Sequence, residues 1–286
     1  MAVKLILVAT DMSERSDRAI ARACLLARQQ GAALHVLHVV DEELPAPIAE
    51  AEIASAEASL KALASAGEDF RGLEVKVEIS PGDPWRTIVQ KADFHDVDLL
   101  VMGSHRQRGI ADMFDGTTLE RVARTSRRPV LRVTAPALAS YNEAVVGVDF
   151  SECSRQAARL ALDLAPQAAV TFVHAYHVSY RALTMHTGPL GDLSKAEKDE
   201  IEGGLGKQIA AFIQETTRAG REVRSLLAEG APDRVLGQHV ATLKADLLCL
   251  GLHARSWLYD SILGSTAREM LAKCPCDLLL APPQRK

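Results

Sequence analysis

Short apolar runs alternate with amphipathic segments along the whole chain, and this alternation occurs twice. Each apolar run has the length of a strand, and the segment after the first run repeats apolar residues at spacings of one, three, one and three. In the first half these residues are Ala19, Ile20, Ala23, Cys24 and Ala27. The spacing places all of them on one helix face, so the pattern predicts strands that alternate with amphipathic helices.

An offset of 138 residues superposes the start of the second half on the start of the first. The segments LILVATDMSERS (5–16) and AVVGVDFSECS (144–154) then align an aspartate and two serines. Farther along, DLLVMGSH (98–105) matches DLLCLGLH (246–253). Small, polar and Pro-containing residues separate the two copies, which predicts one domain at 1–137 and a second at 141–286.

Each half is predicted to run β-α-β-α-β-α-β-α-β. Its apolar runs are typical of strands that are buried on both faces, because helices cover each side of the sheet. Strands that alternate with helices form parallel sheets with right-handed crossovers. The predicted fold class is therefore α/β, with two tandem, doubly wound, five-stranded parallel sheets of Rossmann-like type.

Composition narrows the functions open to this fold. The 33 basic and 37 acidic residues give a net charge of −4, which disfavours general binding to nucleic acid or to an anionic membrane. No apolar run approaches the roughly 18 residues of a membrane span, and residues 3–9 predict a first strand rather than a signal peptide. The 5 cysteines are odd in number and mostly lie in apolar segments, which predicts a reduced, cytoplasmic setting.

Candidate ligand-binding residues follow the strands of both halves, where doubly wound sheets bind their ligands. Asp11 and Asp149 follow the first strand of each half, and Gly103 and Gly251 follow the fourth. Thirteen residues after each of these glycines, a glycine and a hydroxyl residue begin a helix: Gly116 with Thr117, and Gly264 with Ser265. Glycine admits close backbone approach and a helix start offers N–H donors, so the loop predicts a phosphate site. The alternative for each half is a turn glycine followed by an ordinary helix cap.

Together these motifs resemble the universal stress protein family over essentially the whole sequence, with one family unit in each half. The resemblance implies strand order 3-2-1-4-5 and binding of an adenine nucleotide, ATP above all, with Mg²⁺ held through the phosphates. It implies that Asp11 and Asp149 contact the adenine end and that Val39 and Ala175 line the adenosine pocket. It also implies a role in the stress response, with at most very slow hydrolysis.

Two residues depart from the family's loop, which reads Gly, two residues, Gly, nine residues, Gly and then Ser or Thr. Arg106 and Ala254 stand where the second glycine is expected. Arg106 either blocks the phosphate site, clamps a phosphate or is a solvated surface residue. Ala254 adds only a methyl group, so the second half is expected to bind nucleotide better. His105 and His253 match each other beside the loop, as phosphate contacts or as turn residues.

The histidines also give one candidate metal set and one unsuitable pair. His35 and His38 lie on one strand, where a spacing of three points them to opposite faces, so they are poor co-ligands. Three histidines that lead into the polar segment of the second half form a candidate zinc set: His174, His177 and His186.

Three functions remain open at this stage. The favoured one is a nucleotide-binding stress protein that acts as a sensor or adaptor. The second is a scaffold with degenerate sites that binds protein partners, which the departures at Arg106 and Ala254 support. An enzyme is least favoured, because the first strand lacks both Ser-Gly-Gly and Gly-x-Gly-x-x-Gly. The resemblance further implies an internal pseudo-dimer through residues 130–133 and 278–281, with a further homodimer left open.

Overall fold

The computed structural model describes residues 3–104, 117–176, 195–218, 220–252 and 263–283, and for 195–198 it describes the backbone alone. The strands of the first half are β1 (Leu5–Thr10), β2 (Ala33–Val40), β3 (Val75–Pro81), β4 (Leu99–Gly103) and β5 (Val130–Val133). Its helices are α1 (Glu14–Gln30), α2 (Ala46–Ala66), α3 (Pro84–Phe94) and α4 (Thr118–Thr125), with a 3-10 turn at Glu68–Phe70.

The second half repeats this order of elements. Its strands are β6 (Glu143–Gly147), β7 (Ala169–Tyr176), β8 (Arg224–Glu229), β9 (Leu247–Gly251) and β10 (Asp277–Ala281). Its helices are α5 (Glu152–Leu164), α6 (Lys195–Thr216), α7 (Pro232–Leu243) and α8 (Ser265–Lys273).

The ten described strands form one sheet in the order β3-β2-β1-β4-β5-β10-β9-β6-β7-β8. Neighbours within each half are parallel, so the α/β fold class and the strand order 3-2-1-4-5 are confirmed. The halves meet where β5 and β10 pair antiparallel, with Leu131 opposite Leu279. Because that pairing reverses the strand direction, the carboxyl ends of the two sets of strands face opposite edges of the sheet.

Apolar layers cover both faces of the sheet. One layer packs against α1, α2, α5 and α6, and the other packs against α3, α4, α7 and α8. The central strand residues Leu99, Leu100 and Val101 are each 0% exposed, as expected for a sheet between two helix layers. Gly31 ends α1 in a left-handed conformation with φ 65°. Among the described residues, no helix is both long and apolar enough to cross a membrane.

A buried ionic cluster reinforces the junction between the halves. The Asp277 carboxylate on β10 accepts hydrogen bonds from Arg22 Nε at 3.1 Å and from the Tyr141 hydroxyl at 2.7 Å. Its other oxygen accepts the backbone N–H of Thr134 at 2.8 Å. Asp277 is fully buried and Arg22 nearly so, and the arginine belongs to the first half. The cluster therefore links α1, the connecting segment and the last strand.

Candidate ligand-binding sites

A cavity of about 470 Å³ lies at the carboxyl ends of the second-half strands. Its apolar wall includes Val173 from β7, Leu236 from α7 and Leu250 from β9. Five of the residues predicted from the sequence also line it: Asp149, Ala175, Gly251, Gly264 and Ser265. An apolar wall with a few polar groups is typical of sites for small molecules.

The first half has a smaller cavity, of about 210 Å³, at the corresponding strand ends. Asp11, Val39 and Gly103 line it, together with Thr118 and Leu119 at the start of α4. Thr117, which was predicted to contact phosphate, is not among the lining residues. The two cavities lie at opposite edges of the sheet because the halves are joined antiparallel.

Several candidate residues lie outside the described part of the chain: His105, Arg106, Gly116, His177, His186, His253 and Ala254. The hypotheses about the position of the second glycine and about zinc at three histidines therefore stay predictions. The one described member of that zinc set is His174. Its Nδ1 lies 2.7 Å from the carbonyl oxygen of Val148, and its ring packs against Phe150 with centroids 4.4 Å apart.

The same turn follows the first strand of each half. Asp11 Oδ1 accepts the backbone N–H of Ser13 at 3.1 Å and its hydroxyl at 2.5 Å. Asp149 Oδ1 accepts the same two groups of Ser151, at 3.0 and 2.6 Å. The residue after each aspartate has a positive φ, 58° in the first half and 62° in the second, which an L side chain adopts only at a cost. The turn holds each carboxylate at the rim of its cavity.

The Asp11 turn also affects the charge of its carboxyl group. Burial raises the pKa of Asp11, but hydrogen bonds to the carboxylate, from Ser13 above all and also from Ser16, together outweigh burial and lower the pKa below its usual value. The group is therefore ionised at neutral pH. An ionised carboxylate accepts hydrogen bonds and donates none, so this residue suits an amino or hydroxyl group of a ligand.

The glycines at the ends of β4 and β9 have a packing cause. A Cβ on Gly251 would lie 2.5 Å from the backbone of both Cys153 and Ser154, at the start of α5. A Cβ on Gly103 would lie 2.8 Å from the carbonyl oxygen of Arg15, at the start of α1. Real side chains do not make such contacts with backbone, so close approach of helix and strand alone requires glycine here.

The helix starts beside the two cavities differ in their capping. In the first half, Thr117 Oγ1 accepts the N–H of Glu120 at 3.2 Å, and the Glu120 carboxylate accepts the N–H of Thr117 at 3.2 Å. This capping box satisfies two of the free N–H groups of α4. In the second half the N-cap residue is Gly264, and no side chain among the described residues caps the start of α8. N–H donors at the start of α8 therefore remain available to a ligand.

The charge at these two helix starts also differs, and the sequence carries this signal, which is not among the predictions from the motifs. Aligning Gly116 with Gly264 places Arg268 at the position of Glu120. A carboxylate at a helix start competes with a bound anion, whereas an arginine adds to the favourable helix dipole. The motif makes Thr117 and Ser265 equivalent, but the residue three positions later has opposite charge in the two halves.

The fold and the two cavities define a tandem, doubly wound α/β protein with pockets of ligand-binding type at its strand ends. The family model of the universal stress protein family matches residues 2–134 and again residues 140–282. The chain therefore belongs to the universal stress protein family and carries two family units.

The chain is also similar to a named relative and to solved structures. Universal stress protein MJ0531 of Methanocaldococcus jannaschii is 30% identical over 142 residues, covering 46% of this chain and 83% of that protein. A crystal structure of a universal stress protein from Archaeoglobus fulgidus superposes with a TM-score of 0.72 at 18% identity, covering 99% of this chain and 100% of that one. A universal stress protein solved in complex with cAMP is 30% identical, with a TM-score of 0.37, over 47% of this chain and 98% of its own.

Proposed function

We propose that the chain binds an adenine nucleotide, ATP above all, in the cavity of its second half. One observation carries the proposal: the uncapped start of α8 opens onto a cavity of about 470 Å³ whose rim also holds the Asp149 carboxylate. A group that binds anions and a group that accepts hydrogen bonds thus line the same apolar cavity. That combination matches a nucleotide, which has phosphates at one end and an exocyclic amino group at the other.

Each lining residue has a role in this proposal. Asp149 accepts a hydrogen bond from the adenine end, and Val173, Ala175 and Leu236 pack against the base and ribose. The backbone N–H groups at the start of α8, together with the Ser265 hydroxyl, donate to the phosphates. Gly251 ends β9 close to α5. Mg²⁺ is expected to accompany ATP through its phosphates rather than through a protein cage.

The first half is expected to bind nucleotide more weakly. Its cavity is smaller, about 210 Å³, and the capping box has already satisfied N–H groups of α4. The Glu120 carboxylate, which accepts the N–H of Thr117, also adds a negative charge at the start of α4. Asp11, Val39, Gly103 and, by sequence, Arg106 and Gly116 are the residues that would serve this half if it binds. These differences support one working site per chain.

The role we propose for the bound nucleotide is signalling: the protein acts as a sensor or adaptor in the stress response and not as an efficient catalyst. We propose a cytoplasmic location as well. The five cysteines are unpaired and buried, which fits a reducing compartment. The alternative function is a scaffold that binds protein partners without nucleotide, and the first half, with its capped helix start, is the part of the chain that favours it.

The first experiment uses the full chain purified without added nucleotide. Heat denaturation releases any bound nucleotide, which chromatography and mass spectrometry identify and count per chain. We expect close to one adenine nucleotide per chain. A count near two would show that Glu120 and Arg106 leave the first half competent. No release, followed by no calorimetric response to millimolar Mg-ATP or cAMP, would favour the scaffold.

A pair of variants assigns the site. A Cβ on Gly264 meets no atom of the described residues within 4 Å, so side chains at this position are compatible with that part of the fold. Gly264→Asp places a carboxylate at the start of α8 and should weaken Mg-ATP binding at least about tenfold, which corresponds to about 1.4 kcal/mol. Gly264→Asn has the same shape without the charge and should bind much more tightly than Gly264→Asp. Equal affinities of the two variants and the wild type would refute the assignment.

A further inference from the structure

Three potential metal ligands meet in the first half, away from the candidate nucleotide site. His35 lies on β2, Glu78 on the edge strand β3, and His95 directly after α3. One ligand atom from each lies within 4.8 Å of the other two. His35 precedes the cavity residue Val39 by four positions on the same strand, a separation of about 13 Å at the usual rise per residue. The cluster is therefore a separate feature of the fold.

The distances within the cluster suit a small ion. Glu78 Oε2 lies 2.9 Å from His35 Nε2 and 3.1 Å from His95 Nε2. Tetrahedral zinc with bonds of about 2.0–2.2 Å holds neighbouring ligand atoms about 3.3 Å apart. The two distances to Glu78 are therefore within a few tenths of an ångström of the spacing in a zinc site. The rings of the two histidines are already edge to face, with centroids 4.5 Å apart.

One buried atom has a poorly aligned partner. His35 is 2% exposed, and its Nε2 lies 2.9 Å from Glu78 Oε2 without the geometry of a full hydrogen bond. A buried nitrogen with an imperfect partner costs free energy, and a metal ion that takes its lone pair would reduce that cost. Glu78 and His95 are partly accessible, with side-chain exposures of 17% and 19%, so an ion can reach the cluster from solvent.

Two lysines also contact the Glu78 carboxylate. Lys91 binds Oε1, which leaves Oε2 directed at both histidines and fixes the orientation of the carboxylate. Lys76 lies 3.3 Å from Oε2, but its side chain is 60% exposed and has room to turn into solvent. A metal ion would therefore displace only the lysine that is mostly solvated.

The second half supplies an internal comparison. In the strand register, Thr171 occupies the position of His35 and Leu226 the position of Glu78. Aligning Asp96 with Lys244, which share a positive φ after α3 and α7, places Leu243 at the position of His95. All three potential ligands are thus replaced together in the half that has the larger nucleotide-type cavity.

We propose that His35, Glu78 and His95 form a Zn²⁺ site in the first half. Two imidazole nitrogens and one carboxylate oxygen are ligands that zinc prefers, and water fills the fourth position of a tetrahedral site. The ion would tie the edge strand β3 to β2 and to the end of α3. Its role would be to hold this edge of the sheet together.

The test uses the full chain without a histidine tag, treated with chelator and then dialysed. Calorimetric titration with Zn²⁺ should give one ion per chain, and bound Co²⁺ should show the intense visible absorption of a tetrahedral site. Zn²⁺ should also raise the thermal unfolding midpoint. Folded wild-type protein that gives neither heat with Zn²⁺ nor the Co²⁺ spectrum would overturn the proposal.

Variants locate the ion within the chain. His95→Ala and Glu78→Gln should each weaken Zn²⁺ binding by more than about 100-fold, beyond the usual effect of residues that only orient a ligand. His239→Ala on α7 and the double variant His177→Ala with His186→Ala should bind like the wild type. Circular dichroism checks that every variant is folded. Wild-type affinity in folded His95→Ala, or loss of binding in the double variant, would place the ion elsewhere and overturn the proposal.

Discussion

At the residue scale, Gly251 belongs to the predicted phosphate-binding loop, but the close packing of β9 against α5 is enough to require glycine at this position. A methyl group there would meet the backbone of Cys153 and Ser154 at 2.5 Å. We expect Gly251→Ala to lower the free energy of unfolding by about 1–3 kcal/mol, the usual cost of overpacking. Gly237→Ala is the matched control, because the Cβ would enter open space in α7 and should stabilise by about 0.5–1 kcal/mol. Urea unfolding measures both, and equal changes in midpoint would contradict the packing argument.

His35 makes the stability of the metal-free protein depend on pH. Burial above all, with help from His95 and Lys76, lowers the pKa of His35 to about 4, although Glu78 acts in the opposite direction. The imidazole of the unfolded chain titrates near pH 6.5, so between about pH 6.5 and 4 the unfolded state binds the additional proton. The folded state therefore loses stability as the pH falls through this window, by up to about 1.4 kcal/mol per pH unit.

The variant His35→Leu removes the imidazole and should remove its contribution to the pH dependence of the free energy of unfolding. We expect the stability of the wild type relative to His35→Leu to fall between pH 7 and pH 4.5 in the presence of chelator. Urea unfolding at a series of pH values gives the difference in stability between the two proteins directly, since both contain the same carboxyl groups. A difference in stability that stays constant between pH 7 and pH 4.5 would contradict this prediction, because it would mean that His35 has the same pKa in the folded and the unfolded protein.

At the element scale, the starts of α4 and α8 differ in capping and charge, although the sequence repeat suggests that the two halves are equivalent. We expect Arg268→Glu to weaken Mg-ATP binding by roughly three- to tenfold, because it reverses the charge in the first turn of α8. Lys207→Glu on the exposed side of α6 makes the same change in net charge outside the cavity lining and should leave the affinity unchanged. Calorimetric titration compares the two, and a similar loss in both would indicate a general effect of net charge.

The helices and strands can be predicted from the sequence, because the spacing of apolar residues and the residues that end helices act locally. The stripe from Ala19 to Ala27 predicted α1, which ends at Gln30 before the left-handed C-cap residue Gly31. The capping of α4 did not follow, since Thr117 before a helix fits both a cap and a phosphate contact. The structure decides it, because Thr117 Oγ1 accepts the backbone N–H of Glu120 and so acts as a cap. The zinc cluster was missed for a different reason: Glu78 and His95 meet His35 through strand register and the end of α3, which spacing along the chain does not show.

At the scale of the whole molecule, the connector between the repeats is part of the junction. Its small and polar composition predicted a boundary, and the domain limits at 1–137 and 141–286 stay a prediction. Yet Tyr141 within it is 1% exposed, and the carbonyl oxygen of Ala139 accepts a hydrogen bond from Arg22 at 2.8 Å. Arg132 on β5 likewise donates to the carbonyl oxygens of residues 271, 274 and 276 in the second half. Two arginines of the first half thus bind groups of the second.

These contacts predict that the halves unfold together and that Asp277 is central to their union. Asp277→Ala leaves the buried Arg22 guanidinium without its carboxylate, which typically costs about 3–5 kcal/mol. Glu57→Ala breaks the exposed pair with Lys61 on α2 and should cost less than about 1 kcal/mol. Differential scanning calorimetry should show one transition for the wild type and Glu57→Ala. For Asp277→Ala we expect a much lower midpoint or a split transition, because each half keeps its own five-stranded sheet and helix layers. An unchanged single transition in Asp277→Ala would mean that the β5–β10 pairing and its apolar surroundings hold the halves together without the ionic cluster.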